Sequence, residues 1–203
     1  PLSSAHTLHI IESDGSYRTS FSPLSDTHPA RWQWTTTGPD GNLWSAAYDV
    51  PGIKVWSTSG TLLKELEVPT TTFDARWDQD WVLTENGPTP AQMDISVSED
   101  VVWLLQRLPA REWKKAVYEQ ENGSKNFETL MFYGSEIQAV EKTTGRLLAT
   151  RRFEPNDLLP TSSWIMRFVG GTDVVVAAAR NDESGIPRLD LWRVRLTERQ
   201  EEE

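Results

Sequence analysis

Short apolar runs, each bounded by turn residues, recur along the chain. Between residues 31 and 68 the segments "RWQWTT", "NLWSAAY", "IKVWS" and "TLLKELEV" follow one another. They are rich in Trp, Thr, Val and Leu, which favour strands. The intervening "GPDG" and "TSG" carry the Pro and Gly residues typical of tight turns. This pattern predicts four strands joined in chain order, which is an antiparallel meander.

The third strand, its turn and the fourth strand occur three times, as "LHIIESDGSYRTSF", "IKVWSTSGTLLKELEV" and "IQAVEKTTGRLLATRRF", with Gly15, Gly60 and Gly145 in the same place of the turn. Gly15 and Gly60 lie 45 residues apart, a spacing typical of β-propeller blades. A sandwich of hairpins is the alternative, but repeats in fixed order favour a propeller. The sequence therefore predicts an all-β chain forming a partial β-propeller of about three to four four-stranded antiparallel blades.

The predicted chain is a single propeller-type domain over residues 1–203. The segment at 108–135, after the predicted strand that contains Trp103, is longer than a turn. In its first part, residues 110–120, Trp113 and Val117 have the i, i+4 spacing of a short amphipathic helix. A closed ring needs about four blades or more, so we expect part of a larger ring, or self-association through open blade edges. The expected units are a half blade (about 7–23), a full blade (30–69), a full blade with an insertion (91–153, insertion 108–135), a last blade (164–197) and an acidic tail (198–203).

Two motifs carry a family resemblance. The hairpin "KTTGRLLA", which begins at Lys142, and the strand "LWRVRL", which begins at Leu191, resemble motifs in the C-terminal half of bacterial six-bladed β-propeller proteins related to the NHL type. The resemblance implies that the chain is a fragment of a six-bladed ring. It also implies an extracytoplasmic or secreted location, since members of that family are often exported.

Composition narrows the range of functions. The net charge of −10 at pH 7 disfavours nucleic-acid binding, which depends on clusters of Lys and Arg. The absence of cysteine excludes thiol catalysis, disulfides and cysteine-ligated zinc. No segment has the roughly 18 consecutive apolar residues of a membrane span. The sequence contains no G-x-S-x-G, H-E-x-x-H or P-loop motif. We therefore expect a non-enzymatic module without a cofactor that binds a protein, a small molecule or a carbohydrate.

Loops on one face of a propeller usually hold its binding residues. Trp77 and Trp81 lie in "DARWDQDW", a predicted crossover between blades. Exposed loop aromatics often bind sugars or proteins, although both rings could instead pack under the crossover. The predicted ligand-binding residues are Tyr48, Trp77, Trp81, Arg107, Trp113, Asn181 and Asp182. The strand tryptophans Trp34, Trp44, Trp56, Trp103 and Trp192 are predicted to lie in the core.

An enzyme is the alternative prediction. Some six-bladed lactonases hold calcium at the mouth of the channel with carboxylate and amide oxygens from different blades. Hard cations such as calcium take about 6–8 oxygen ligands. Under this hypothesis the chain is a calcium-dependent, lactonase-like hydrolase. A simpler interpretation of the same residues is that they are solvated acidic loops. The metal ligands would be Asp49, Asp78, Asp94 and Asp182.

Overall fold

The computed structural model of the chain describes residues 8–21, 33–47, 52–68, 90–113, 133–154, 164–170, 173–181 and 184–196. Strands dominate these residues, and no helix among them is long and apolar enough to cross a membrane. The strands are β1 (Leu8–Ile11), β2 (Tyr17–Phe21), β3 (Gln33–Thr37), β4 (Leu43–Ala47), β5 (Ile53–Trp56), β6 (Leu62–Leu66), β7 (Ala91–Val97), β8 (Val101–Pro109), β9 (Tyr133–Glu141), β10 (Leu147–Phe153), β11 (Trp164–Gly170), β12 (Asp173–Asn181) and β13 (Pro187–Arg195).

The strands form four antiparallel sheets in which neighbours in the chain are neighbours in the sheet. The first is the hairpin β1–β2, and the second is the first full sheet, β3–β4–β5–β6. The third, β7–β8–β9–β10, is the central sheet, and the last sheet, β11–β12–β13, has three strands. The predicted all-β chain with four-stranded antiparallel sheets is thus confirmed.

The first strands of the three larger sheets lie side by side. Strand β7 contacts β3 on one side and β11 on the other. In a propeller, the first strands surround the axis and each sheet extends outwards from it. The three sheets follow this arrangement, so the described part of the chain is a partial β-propeller.

The central sheet is buried on both faces because residues alternate along its second strand. Val102 and Leu104 of β8 face the first full sheet, in a core cluster that also contains Trp44 and Val55. Residues 101, 103 and 105 of the same strand face the last sheet, in a second core cluster with residues 174 and 176. Side chains of a strand point alternately to its two faces. Because β8 lies between two sheets, both of its faces are apolar, and its sequence is the continuous apolar run "VVWLL".

The strand tryptophans occupy these two cores, as predicted. Trp44 and Trp103 are each 3% exposed and Trp56 is 7% exposed, while Trp34 and Trp192 are partly buried against the clusters. Most of their indole N–H groups have acceptors. Trp34 Nε1 donates to the backbone oxygen of residue 92 at 2.9 Å, Trp56 Nε1 to Ser45 Oγ at 2.9 Å, and Trp44 Nε1 to the Oδ1 of residue 40 at 3.4 Å.

The repeated hairpin glycines are contact points between sheets. Gly60 and Gly145 have φ angles of 85° and 79°, in the left-handed region that glycine adopts readily. A Cβ atom on Gly60 would lie 2.8 Å from Cδ1 of Phe21, which ends β2. A Cβ atom on Gly145 would lie 2.7 Å from the backbone oxygen of Glu67, which follows β6. At these two interfaces the end of one sheet's last strand therefore contacts the hairpin turn of the next sheet.

The two strands that flank the predicted insertion extend into its range at both ends. Leu108 pairs with Gly134 and Pro109 with Tyr133, so β8 and β9 continue into the range 108–135. After β8 the chain turns, and the Trp113 N–H donates to the backbone oxygen of Ala110 at 3.2 Å. The rest of the predicted helix, residues 114–120, lies outside the described residues.

Candidate functional site

The last sheet differs from the two full sheets at its outer edge. The third strand of each full sheet, β5 or β9, pairs with a fourth strand, β6 or β10. In the last sheet the third strand, β13, pairs with β12, and no described strand pairs with its other edge.

A groove of about 480 Å³ lies between β13 and β10 of the central sheet. This volume is within the range of ligand-binding pockets. Most of its lining is apolar or aromatic, and three arginines also contribute atoms to it. The lining residues are Trp103, Ile137, Ala149, Thr150, Arg151, Phe153, Trp192, Arg193, Val194, Arg195 and Leu196.

Two of the arginines share one buried carboxylate. Asp173 is 3% exposed, and Arg195 donates to it through Nε at 2.9 Å and Nη2 at 3.0 Å. Arg193 also donates to Oδ2 of Asp173. The hydrogen bond from Arg195, followed by that from Arg193, lowers the pKa of Asp173 below its ordinary value. Both guanidinium groups are still more than half exposed, with side-chain exposures of 63% and 57%.

The third arginine, Arg151, contacts an aromatic ring of the groove. Its guanidinium carbon lies 5.7 Å from the ring centroid of Phe153, within the distance of a cation–π contact. The side chain is exposed, and no described acidic residue forms an ion pair with it.

Arg193 and Arg195 alternate along β13 with Trp192 and Val194, which face the central sheet. Their guanidinium groups therefore bind Asp173 on the other face of the last sheet, and Arg151 is the arginine whose charge faces the groove. A positive charge here contrasts with the chain as a whole, whose net charge is −10.

The wall of the groove also contains a buried donor. Trp103 is 3% exposed, and its indole N–H has no hydrogen-bond partner among the described residues. Trp44, which holds the equivalent place in the first full sheet, donates to Asp40 instead. Leaving a buried donor without an acceptor costs about 1–3 kcal/mol. An acceptor that reached this N–H from the groove would remove the cost.

Three of the ligand-binding residues predicted from sequence lie within the described part of the chain, at or beyond strand ends. Arg107 is 9% exposed, near the end of β8, and its guanidinium carbon lies 4.2 Å from the ring centroid of Tyr133. Burial raises the pKa of Tyr133 above its ordinary value. Trp113 is partly buried in the turn after β8. The last residue of β12, Asn181, pairs with Pro187.

Strands β8 and β12 are both second strands of their sheets, so they run in the same direction and end on the same face of the propeller. Arg107 and Asn181, near these ends, therefore lie on one face, which is consistent with the predicted loop face. The other predicted ligand-binding residues, Tyr48, Trp77, Trp81 and Asp182, lie outside the described residues. The loop face accordingly stays a prediction.

Of the predicted metal ligands, Asp94 alone lies within the described residues. It is 3% exposed, and its Oδ2 accepts from Arg167 Nη1 at 3.0 Å. Its Oδ1 accepts from the Ile95 N–H at 2.9 Å. The carboxylate thus links the central sheet to the last sheet. Within the described ranges no group of three or more His, Asp or Glu side chains is placed to hold a metal ion. Asp49, Asp78 and Asp182 lie outside these ranges.

Sequence reasoning missed the groove. It assigned Trp103 and Trp192 to the core, where they do pack, and it did not consider Arg151, Arg193 or Arg195. The alternation of Arg with apolar residues in "LWRVRL" indicated a strand with one apolar face, but it did not indicate the groove beside that strand.

The described part of the chain thus belongs to the class of partial β-propellers. No protein-family model matches the chain. No curated protein matches it either.

Similar chains among solved structures include streptogramin B lyases. A catalytically inactive virginiamycin B lyase from Staphylococcus aureus, solved with quinupristin, has a TM-score of 0.42 and 14% identity over 85% of this chain and 42% of that chain. A streptogramin B lyase has a TM-score of 0.44 and 11% identity over 95% of this chain and 49% of that chain. The chain thus spans less than half the length of these two lyases.

Proposed function

We propose that the chain is a non-enzymatic binding module and that the groove between β10 and β13 binds a ligand with an apolar body and a negatively charged group. One observation carries the proposal: an apolar groove of about 480 Å³ has the exposed guanidinium of Arg151 at its side, beside the ring of Phe153. The hairpin beginning at Lys142 and the strand beginning at Leu191 support a finer proposal, that the module is part of a six-bladed, NHL-like propeller.

The two parts of the groove have separate roles in binding. The rings of Trp103, Phe153 and Trp192 offer apolar surface, and burying apolar surface contributes about 25 cal/mol per Å². Arg151 contributes charge-assisted hydrogen bonds, which are stronger than neutral ones and favour planar carboxylates. Arg193 and Arg195 bind Asp173 on the other face of the last sheet, so we expect Arg151 to be the arginine that a ligand contacts.

The proposal is tested with 1-anilinonaphthalene-8-sulfonate, an aromatic anion that fluoresces in apolar sites. We expect saturable binding to one site. The variant Arg151→Gln should weaken the affinity about fivefold, since an exposed charged contact is worth up to about 1 kcal/mol.

Arg146→Gln is the matched control. Arg146 is exposed, pairs with Glu141 at 3.5 Å and does not line the groove, so its loss should leave the affinity unchanged. Equal affinity in the wild type and in Arg151→Gln would contradict the placement of the site. Binding that never saturates would contradict the existence of a defined groove site.

A further inference from the structure

The wall of the groove contains one polar atom that a ligand could satisfy. Trp103 is 3% exposed, and its indole N–H meets no hydrogen-bond acceptor among the described residues. Trp44, the equivalent residue of the first full sheet, donates to Asp40 at 3.4 Å. We propose that the ligand of the groove carries a carbonyl group in its apolar body and that this carbonyl oxygen accepts from Trp103. This inference rests on the proposed function, because it names the class of ligand for the same groove.

The register of the central sheet leaves space beside Trp103. Trp103 pairs with Ala139, and Ala139 pairs with Ala149, so two small side chains complete its row across β8, β9 and β10. Both Trp103 and Ala149 line the groove. The corresponding row of the first full sheet consists of Trp44, Val55 and Lys64. The central sheet therefore differs from the first at this row in two ways, with no acceptor for the indole and with smaller neighbours beside it.

Arg151 lies in the next row on the same face of the central sheet. It pairs with Ile137 of β9, which pairs with Leu105 of β8, two residues after Trp103. Residues that pair directly across strands share a face. Trp103 and Arg151 are thus two strands and two residues apart, which places their Cα atoms about 12 Å apart for strands about 4.8 Å apart and about 3.4 Å per residue. One small ligand can therefore contact both side chains.

The chemistry of the wall favours a neutral oxygen at Trp103 and a charged group at Arg151. An indole N–H donates a hydrogen bond and accepts none. A carboxylate held against this buried part of the wall would lose its hydration, whereas a carbonyl oxygen costs less to bury. Arg151 is exposed and lies beside the ring of Phe153, so the charged group stays near water there. These two contacts favour an apolar carboxylate with an internal ketone, ester or amide group.

The test compares two carboxylates that differ at one group: para-benzoylbenzoate has a ketone where para-benzylbenzoate has a methylene group. Each displaces 1-anilinonaphthalene-8-sulfonate from the whole chain, and the loss of fluorescence gives its affinity. We expect the ketone to bind about tenfold more tightly, because it supplies an acceptor to a buried donor that otherwise has none. In NMR spectra of the indole N–H groups, one signal should move to higher frequency with the ketone and stay in place with the methylene compound.

Two tryptophan variants locate the effect. Trp103→Phe keeps an aromatic ring and removes the N–H, so the two carboxylates should bind it with equal affinity, and the indole signal that moved should be absent. Trp44→Phe is the matched control, because Trp44 lies in the first core cluster and does not line the groove. It should keep the preference for the ketone. If Trp103→Phe does not fold, the two carboxylates and the indole signal of the wild type still decide.

The outcomes separate this inference from the proposed function. Suppose that the naphthalene probe binds and that Arg151→Gln weakens it, but the two carboxylates bind the wild type equally or displace nothing. The groove is then a ligand site, and the role of Trp103 is wrong. A preference for the ketone that persists in Trp103→Phe would overturn the inference as well. If neither the probe nor the carboxylates bind, both proposals are wrong.

Discussion

Glycines with the same backbone conformation should tolerate alanine to different extents, because only some of them contact another sheet. Gly41, Gly60 and Gly145 have φ angles of 76°, 85° and 79°. Any L-residue in this left-handed region costs about 1–2 kcal/mol. A Cβ atom on Gly41 would meet no atom within 4 Å, so Gly41→Ala should cost only this conformational term.

The other two substitutions add a steric cost. In Gly145→Ala the new Cβ would lie 2.7 Å from the backbone oxygen of Glu67, which cannot rotate away. Overpacking of this kind costs about 1–3 kcal/mol, so we expect a total loss of about 2–5 kcal/mol. In Gly60→Ala the neighbour is the ring of Phe21, at 2.8 Å. That ring can turn but packs at 5.4 Å, centroid to centroid, from Trp56, so the loss should fall between the other two.

Urea unfolding followed by tryptophan fluorescence measures these losses. The free energy of unfolding should decrease in the order Gly41→Ala, Gly60→Ala, Gly145→Ala, with an unchanged dependence on urea concentration. The three variants share the conformational cost, so their differences isolate the contact between neighbouring sheets. Equal losses for Gly41→Ala and Gly145→Ala would refute the conclusion that the end of one sheet rests on the turn of the next.

Two further predictions concern the pH dependence of stability and the effect of calcium on the melting temperature. The pKa of Asp173 lies below its ordinary value because Arg195 donates to the carboxylate. The interaction therefore stabilises the fold fully above the unfolded pKa of about 3.9 and is lost as the pH falls through the lower, folded value. Urea midpoints measured down this acidic range should fall less steeply in Asp173→Asn than in the wild type, and parallel curves would contradict the assignment. Millimolar calcium should leave the melting temperature unchanged, since both oxygens of Asp94 accept hydrogen bonds from Arg167 and Ile95. A rise that a chelator reverses would favour the hydrolase hypothesis.

The fold was largely predictable because its signals are local. The alternation of apolar and polar residues in a strand, and a turn glycine with positive φ, are each visible within a few neighbouring residues. The repeat presents the same hairpin twice, with its turn glycine at Gly60 and at Gly145. The repeat also placed Trp44 and Trp103 in equivalent core positions, and both are buried. These predictions needed no information about which distant residues meet.

The site was less predictable because it depends on distant contacts. Asp94 was predicted as a metal ligand because it is a carboxylate. In the structure it pairs with Arg167 of another sheet, a contact that the sequence does not indicate. The groove likewise needs Phe153 of β10 to face Trp192 of β13. No periodicity within a strand indicates how wide the space between two sheets will be.

The same repeat accounts for both the stability of the fold and the proposed binding. At two interfaces the end of one sheet contacts the hairpin turn of the next, with Phe21 on Gly60 and Glu67 on Gly145. Beside the last sheet, the groove brings together apolar surface, a buried Trp103 N–H and the charge of Arg151. A ligand bound there should stabilise the last sheet by mass action, whereas changes at Gly60 should weaken the first interface without altering the affinity of the groove.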